Sequence, residues 1–230
     1  MAAQRIRPPL GNKKRYLVTG GAGFIGSHLV DTLIARGNDV VVLDDLSTGK
    51  KENVHPKAEL VIGDASDMAV VAEVFKNIDG CFHLAAVTSV EESNKEWVRT
   101  HKINIGATIN IFQAACERKV PVAYASSAAV YGDCPALPIS EDAPTQPLSA
   151  YGADKLSCDL HGHVAWHVHG VPNIGLRAFN VYGPRQDPAS PYSGVVSIFS
   201  DRMSQNFPIA IYGDGRQVRD FIYVADAVDA

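Results

Sequence analysis

Three features of the sequence predict a doubly wound parallel α/β sheet: short β-rich apolar runs recur along the chain, helical patterns separate them, and a glycine-rich stretch directly follows the first run. Strands divided by helices lie parallel, and a parallel sheet is covered on both faces. The first strand is predicted at residues 15–19 (RYLVT). A helix over 25–35 follows from the spacing of Ile25, Leu29, Val30, Leu33 and Ile34, stopped by Gly37. Buried strands follow at 39–43 and 59–62, then a helix at 68–75, a strand at 80–84 and a long helix from about 98 to 118. Residues 121–125 make a fifth strand, 151–169 another helix and 173–179 a sixth strand.

Residues 133–149 are rich in Pro, Asp and Ser, and 183–194 in Pro, Gly and Ser. Both are expected as long loops lying over a site, because structureless segments of that length usually serve a function. Residues 225–230 read as the start of a helix without a stop signal, so a truncated chain is expected. No internal repeat or low-complexity tract interrupts the pattern.

With 230 residues the chain suits one large domain or one and a half. Its 46% hydrophobic and 20% charged content is that of a globular protein. A net charge of −4 supplies no field for nucleic acid or an anionic membrane, so an anionic ligand must be held by local donors. No apolar stretch reaches membrane-spanning length, and the basic first fourteen residues, with Pro8-Pro9, lack the apolar run of a signal peptide. Cys81, Cys116, Cys134 and Cys158 show no C-x-x-C spacing; Cys81 and Cys116 read as buried thiols, and a reduced, cytoplasmic setting is expected.

The stretch Gly20-Gly21-Ala22-Gly23-Phe24-Ile25-Gly26 satisfies G-x-G-x-x-G between a strand and a helix. Glycine suits such a turn because a diphosphate must touch main chain and the helix must pack closely on the strand. The helix N-terminus then offers free N–H groups and a partial positive charge to phosphate. Asp44 ends the second strand eighteen residues beyond Gly26, where an acid accepts both ribose hydroxyls and repels a 2′-phosphate. Asp45 adds to that repulsion and Lys50 and Lys51 weaken it, so NAD is favoured over NADP.

Tyr151 and Lys155 stand four residues apart at a predicted helix start, which puts phenol and ammonium on one face. A free tyrosine, with a pKa near 10, is a poor base, and neighbouring positive charge favours the phenolate. Ser127 follows the fifth strand, beyond whose carboxyl end a ligand of an open parallel sheet would bind. A capping or turn serine is an equally good reading of Ser127 taken alone.

Taken together, these segments make the chain resemble the extended short-chain dehydrogenase/reductase family, specifically its nucleotide-sugar epimerases. The resemblance runs through 19–28, 43–46, Gly63-Asp64, Phe82-His83-Leu84-Ala85-Ala86, Asn104, 126–132, 151–155, 176–186 and 218–222. It implies a Rossmann-like NAD-binding domain over 15–181, after a loose extension at 1–14, and a partial nucleotide-sugar-binding region over 182–230. Implied cofactor contacts are Gly20, Gly23, Phe24, Ile25, Gly26, Asp44, Asp45, Ser47, Thr48, Gly49, Asp64, Ala65, Leu84, Ala85, Ala86, Asn104, Tyr151 and Lys155. Tyr151 would be the base, with Lys155 and Ser127 its partners. Ser127, Asn180, Val195, Tyr212 and Arg219 would meet a UDP-sugar, Arg219 as a bidentate clamp on diphosphate. Thr88 stands where some members carry a lysine near the cofactor, so that contact is not expected.

The implied reaction is epimerisation of a UDP-sugar at C4 through a 4-keto intermediate, with NAD regenerated. Nucleotide-sugar dehydratases carry Thr-Asp-Glu where this chain has Ser127-Ala128-Ala129, which argues against water elimination. A decarboxylase or reductase of the same family, or a non-catalytic NAD-binding sensor, are the other readings; retention of Tyr151, Lys155 and Ser127 speaks against a sensor. His163 and His167 are spaced as zinc ligands can be, yet no H-E-x-x-H accompanies them, and with His161 and His169 they read as a helix face. No metal is expected. The resemblance implies a homodimer through the two long helices, and Trp97 and Trp166 are expected to pack.

Overall fold

The computed structural model describes residues 13–188 and 194–230. In chain order the elements are β1 (Arg15–Thr19), α1 (Phe24–Ala35), β2 (Asp39–Asp44), β3 (Glu59–Ile62), α2 (Met68–Val74), β4 (Gly80–His83), α3 (Val90–Lys95), α4 (Trp97–Ala115) and β5 (Val122–Ala125). There follow α5 (Ala150–His167), β6 (Asn173–Leu176), β7 (Asn180–Tyr182), α6 (Val195–Ser204), β8 (Phe221–Tyr223) and α7 (Val224–Asp229). Among these residues six strands form one parallel sheet in the order β3-β2-β1-β4-β5-β6, and β7 pairs with β8 in parallel apart from it. The doubly wound Rossmann-like sheet expected from the sequence is the observed fold.

Alternation along the central strands divides the core between two faces. Leu17, Val41 and Leu43 join a cluster with α2, α4 and α5 residues such as Val71, Ile111 and Cys158, while Val18, Val40 and Val42 pack on Leu29, Val30 and Leu33 of α1. Val18, Val30 and Val42 are wholly buried, each contributing roughly 1.5–3 kcal/mol relative to exposure.

Several details depart from expectation. The run read as one strand over 173–179 breaks after Leu176, because the Ala178 carbonyl accepts from the Ala128 N–H at 3.2 Å and leaves the ladder. The short helix α3 was not expected. Its N-cap is Ser89, whose Oγ accepts from the Glu92 N–H at 2.9 Å, and Ser-x-x-Glu before a helix is a signal that could have found it. Trp97 and Trp166 do not pack inside: they are 64% and 54% exposed, on the outer faces of α4 and α5. Cys81 is buried as expected, whereas Cys116 is only half-buried, its thiol donating to the Phe112 carbonyl at 3.2 Å. Residues 1–12 of the expected extension lie outside the described residues, and Lys13 and Lys14 are tied to β2, Lys13 by an ion pair with Asp39 at 2.8 Å.

Candidate active site

β1 and β4 are neighbours although β2 and β3 separate them in the chain, so a crevice opens outside their carboxyl ends. The glycine-rich turn stands at that crevice. Gly20 has φ +70°, and a Cβ there would lie 2.7 Å from the Ala85 nitrogen; a Cβ on Gly26 would lie 2.1 Å from the Gly20 carbonyl oxygen. Both positions therefore demand glycine for the close approach of β1, β4 and α1. No side chain caps α1, whose N-cap is Gly23, so its first turn presents N–H groups to a ligand.

Asp44 is buried at the end of β2. One of its oxygens accepts from the Ala22 N–H and the other from the Leu46 N–H, each at 2.9 Å. A Cβ on Gly49 would stand 2.6 Å from Asp44 Oδ1, so the loop folds back over the carboxylate. Each oxygen keeps a further lone pair for a hydroxyl. Exposed Asp45 turns to its own loop, accepting from the N–H and hydroxyl of Ser47 at 2.9 and 2.6 Å, beside exposed Thr48. Asp64 accepts from the Ser66 N–H at 2.7 Å, and the Asn110 amide of α4 holds the carbonyls of buried Ala65 and of Ser66 at 3.2 and 2.8 Å.

A buried polar chain braces the turn after β4. Thr19 Oγ1 accepts from the N–H groups of Leu84 and Ala85, both at 3.2 Å, and so gives its own proton to His83 Nδ1 at 2.8 Å. His83 then carries its proton on Nε2 and donates to Thr108 Oγ1 at 3.2 Å, which donates to the Asn104 carbonyl at 2.8 Å. Burial, and secondarily the Lys155 ammonium, hold His83 neutral with its pKa lowered to about 3. The amide of Asn104 is wholly engaged by protein: its oxygen accepts from the Val87 N–H at 2.8 Å, and its nitrogen faces the Val87 carbonyl at 3.3 Å and Asp154 Oδ2 at 3.1 Å. Exposed Thr88 follows in that turn.

α5 begins at an N-cap serine, Ser149, which accepts from the Gly152 N–H at 3.0 Å and starts the helix just before Tyr151. Lys155 is buried, and its Nζ donates to the Ala125 carbonyl at the end of β5 at 2.7 Å while lying 5.8 Å from the Tyr151 ring centroid. That bond brings Tyr151 and Lys155 of α5 to the strand end from which Ser127 projects. Ser127 caps a short 3-10 turn (Ala128–Tyr131), accepting from the Ala129 N–H at 3.1 Å, and its own proton remains available for donation. No hydrogen bond joins it to Tyr151 among the described residues.

The residues expected to meet a sugar nucleotide are more dispersed. Asn180 donates through its side chain to the Asp220 carbonyl at 2.7 Å, which sets it beside Arg219, whose guanidinium is exposed and donates to the Val218 carbonyl at 2.9 Å. Val195 opens α6 and is 40% exposed, and Tyr212 is 83% exposed; no hydrogen bond of the described residues links either to Asn180 or Arg219. The segment after β7 lies against α1 and the loop after β2: His28 meets the Pro184 carbonyl at 2.9 Å, Arg185 pairs with Asp31 at 2.8 Å and Lys50 with Asp187 at 3.1 Å. Residues 189–193 of that expected loop lie outside the described residues. The loop 133–149 is held by Arg177, which donates to the Glu141 carbonyl at 3.3 Å and to Tyr131 Oη at 2.9 Å.

Sequence reasoning missed Asp154, His101, Thr19 and Thr108. A charged residue inside the Tyr-x-x-x-Lys motif was the available signal for Asp154; the threonines carry none. The rings of His163 and His167 lie 4.2 Å apart on an exposed face, and among the described residues no group of three His, Cys, Asp or Glu is placed to hold a metal. No described helix is long and apolar enough to cross a membrane.

The family described as "NAD dependent epimerase/dehydratase family" matches residues 16–230. A putative UDP-glucose 4-epimerase of Methanocaldococcus jannaschii is 43% identical over 217 residues, covering 93% of this chain and 71% of that protein. The crystal structure of a UDP-glucose 4-epimerase with UDP-glucose from Thermotoga maritima superposes with a TM-score of 0.90 at 38% identity, over 94% of this chain and 71% of its own. A Thermus thermophilus UDP-glucose 4-epimerase in complex with NAD gives 0.87 at 38% identity, over 94% and 72%.

Proposed function

The chain belongs to the NAD dependent epimerase/dehydratase family, and from that premise we propose that it interconverts UDP-sugars at C4 with NAD as a regenerated cofactor. The observation that carries the reading is the Lys155–Ala125 bond at 2.7 Å, which sets a phenol, an ammonium and a serine hydroxyl at one strand end of the crevice. The residues fit NAD: an uncapped helix start behind close-packed glycines suits a diphosphate, and buried Asp44 with spare lone pairs suits an adenosine ribose. NAD held there would supply the hydride acceptor, and then the hydride donor, for the sugar C4.

In this proposal the Tyr151 oxygen takes the proton of the C4 hydroxyl as hydride leaves, and returns it when hydride comes back to the other face of the 4-keto sugar. The Lys155 ammonium stabilises negative charge on the phenol oxygen, and the Ser127 hydroxyl donates to the reacting oxygen. Gly20, Gly23, Phe24, Ile25 and Gly26 hold the diphosphate; Asp44, Asp45, Ser47, Thr48 and Gly49 the ribose; Asp64 and Ala65 the adenine. Leu84, Ala85, Ala86 and Asn104 shape the nicotinamide side, and Asn180, Val195, Tyr212 and Arg219 the UDP-sugar. Residues 15–181 would form the cofactor half and 182–230 the nucleotide-sugar part. Ser127-Ala128-Ala129 offers no acid for water elimination, which disfavours a dehydratase.

A homodimer through α4 and α5 is part of the proposal. It is supported by large apolar residues left exposed there: Trp97, Val98 and Ile109 on α4, and Leu160, Val164 and Trp166 on α5. A cytoplasmic setting is supported by the four free cysteines. The test supplies UDP-glucose, UDP-N-acetylglucosamine and UDP-glucuronate without added NADH and follows sugar interconversion, with NAD measured after denaturation. Stoichiometric NAD with interconversion of one substrate is expected. A Tyr151→Phe variant should lose at least about a hundredfold in kcat; interconversion at the unaltered rate would remove Tyr151 as the base.

A further inference from the structure

Asp154 lies between the two residues proposed to carry the chemistry, yet no step of the reaction uses it. Its side chain is 2% exposed, and both oxygens are engaged. Oδ1 lies 2.7 Å from His101 Nδ1 and Oδ2 accepts from Asn104 Nδ2 at 3.1 Å. We propose that Asp154 is a positioning residue that sets the distance between the Tyr151–Lys155 pair and the cofactor wall, by fixing the orientation of Asn104 and through it the turn at Val87.

An ionised carboxylate only accepts hydrogen bonds, so it compels its partner to present a donor. Asn104 must therefore turn its nitrogen to Asp154, which leaves its oxygen for the Val87 N–H at 2.8 Å. With the amide reversed, the carboxylate would face an oxygen and the Val87 N–H would face a donor. The turn after β4 belongs to the crevice wall, because Leu84 and Ala85 hang from Thr19 at the end of β1. Asp154 immediately precedes Lys155, whose Nζ is bonded to Ala125. One rigid path thus runs from the α5 residues through Asp154 and Asn104 to the cofactor wall. His101 satisfies the other oxygen by presenting Nδ1 as a donor, its side chain being 56% exposed. An unpartnered buried carboxylate would be strongly unfavourable, so the pairings act together.

The role rests on the proposed epimerase reading for its activity arm and is independent of it for its structural arm. Asp154→Leu, Asp154→Asn, His101→Ala and His101→Asn are compared with the unaltered protein in UDP-sugar interconversion and in amide hydrogen exchange at Val87. In D154L, which removes the acceptor that Asn104 faces, kcat should fall about a hundredfold, as for a reacting group displaced by about 1 Å, while KM stays within about threefold because substrate is held elsewhere. The Val87 amide should exchange about tenfold faster. D154N keeps an amide oxygen that can accept from Asn104, and should recover kcat about tenfold over D154L.

H101A, changed at a half-exposed side chain, keeps the idea testable if D154L does not fold. It should lower kcat about fivefold, and H101N, whose amide nitrogen can replace Nδ1, should restore it. Unchanged kcat and Val87 exchange in D154L, no recovery in D154N, or native kcat in H101A would each overturn the proposal. If the unaltered protein neither binds NAD nor interconverts a UDP-sugar, the functional reading falls instead, and Val87 exchange still decides the positioning role.

Discussion

Replacing His83 by glutamine should remove a large part of the acid sensitivity of the fold. The imidazole is 5% exposed and bridges Thr19 to Thr108 in its neutral form. Its pKa falls from 6.5 to about 3. Because the folded value is the lower one, the unfolded chain binds more protons between those limits, and stability rises with pH across that window. The contribution is complete above pH 6.5 and is lost as pH falls towards about 3. At about 1.4 kcal/mol per pH unit the whole displacement corresponds to about 5 kcal/mol, of which about 2 kcal/mol is gone at pH 5. That is a substantial share of a typical domain stability of about 5–15 kcal/mol.

Urea unfolding of both proteins at half-unit intervals from pH 7.5 to 4 reads the effect. At pH 7.5 the variant should be less stable by about 1–3 kcal/mol, since glutamine cannot serve both threonines as imidazole does. On acidification the gap should close by about 2 kcal/mol at pH 5 and continue to narrow below it. Parallel curves for the two proteins, or a His83 ring resonance titrating near 6.5 in the folded protein, would refute the reasoning.

Gly26→Ala places a methyl group 2.1 Å from the Gly20 carbonyl oxygen, so α1 must move from β1. A loss of about 1–3 kcal/mol is expected in chemical denaturation, together with loss of the rise in melting temperature expected when NAD is added to the unaltered protein; an equal rise in the variant would contradict the diphosphate assignment. If the proposed dimer forms through α4 and α5, Val164→Glu, at a side chain 44% exposed on α5, should leave the protein monomeric in sedimentation at micromolar concentration without altering its circular dichroism. A dimer of unchanged strength would move the interface elsewhere.

Much of the crevice's backbone was legible in the sequence because its signals are local. Gly20 to Gly26 between an apolar run and a helical pattern, Asp44 at a strand end, and a tyrosine and lysine one helical turn apart each follow from short-range backbone geometry. Period and punctuation likewise determined the six strands of the parallel sheet, apart from the break after Leu176. What only tertiary structure decided is which buried polar groups meet. Thr19, His83 and Thr108 come from three elements, and Asp154 reaches Asn104 across fifty residues. No sequence period records such pairings, because they depend on the approach of α4 to α5 and of β1 to β4. The same approach decides where each tryptophan lies: hydrophobicity marks Trp97 and Trp166 as apolar, while the side of the helix that the sheet covers leaves both outside the chain's own core.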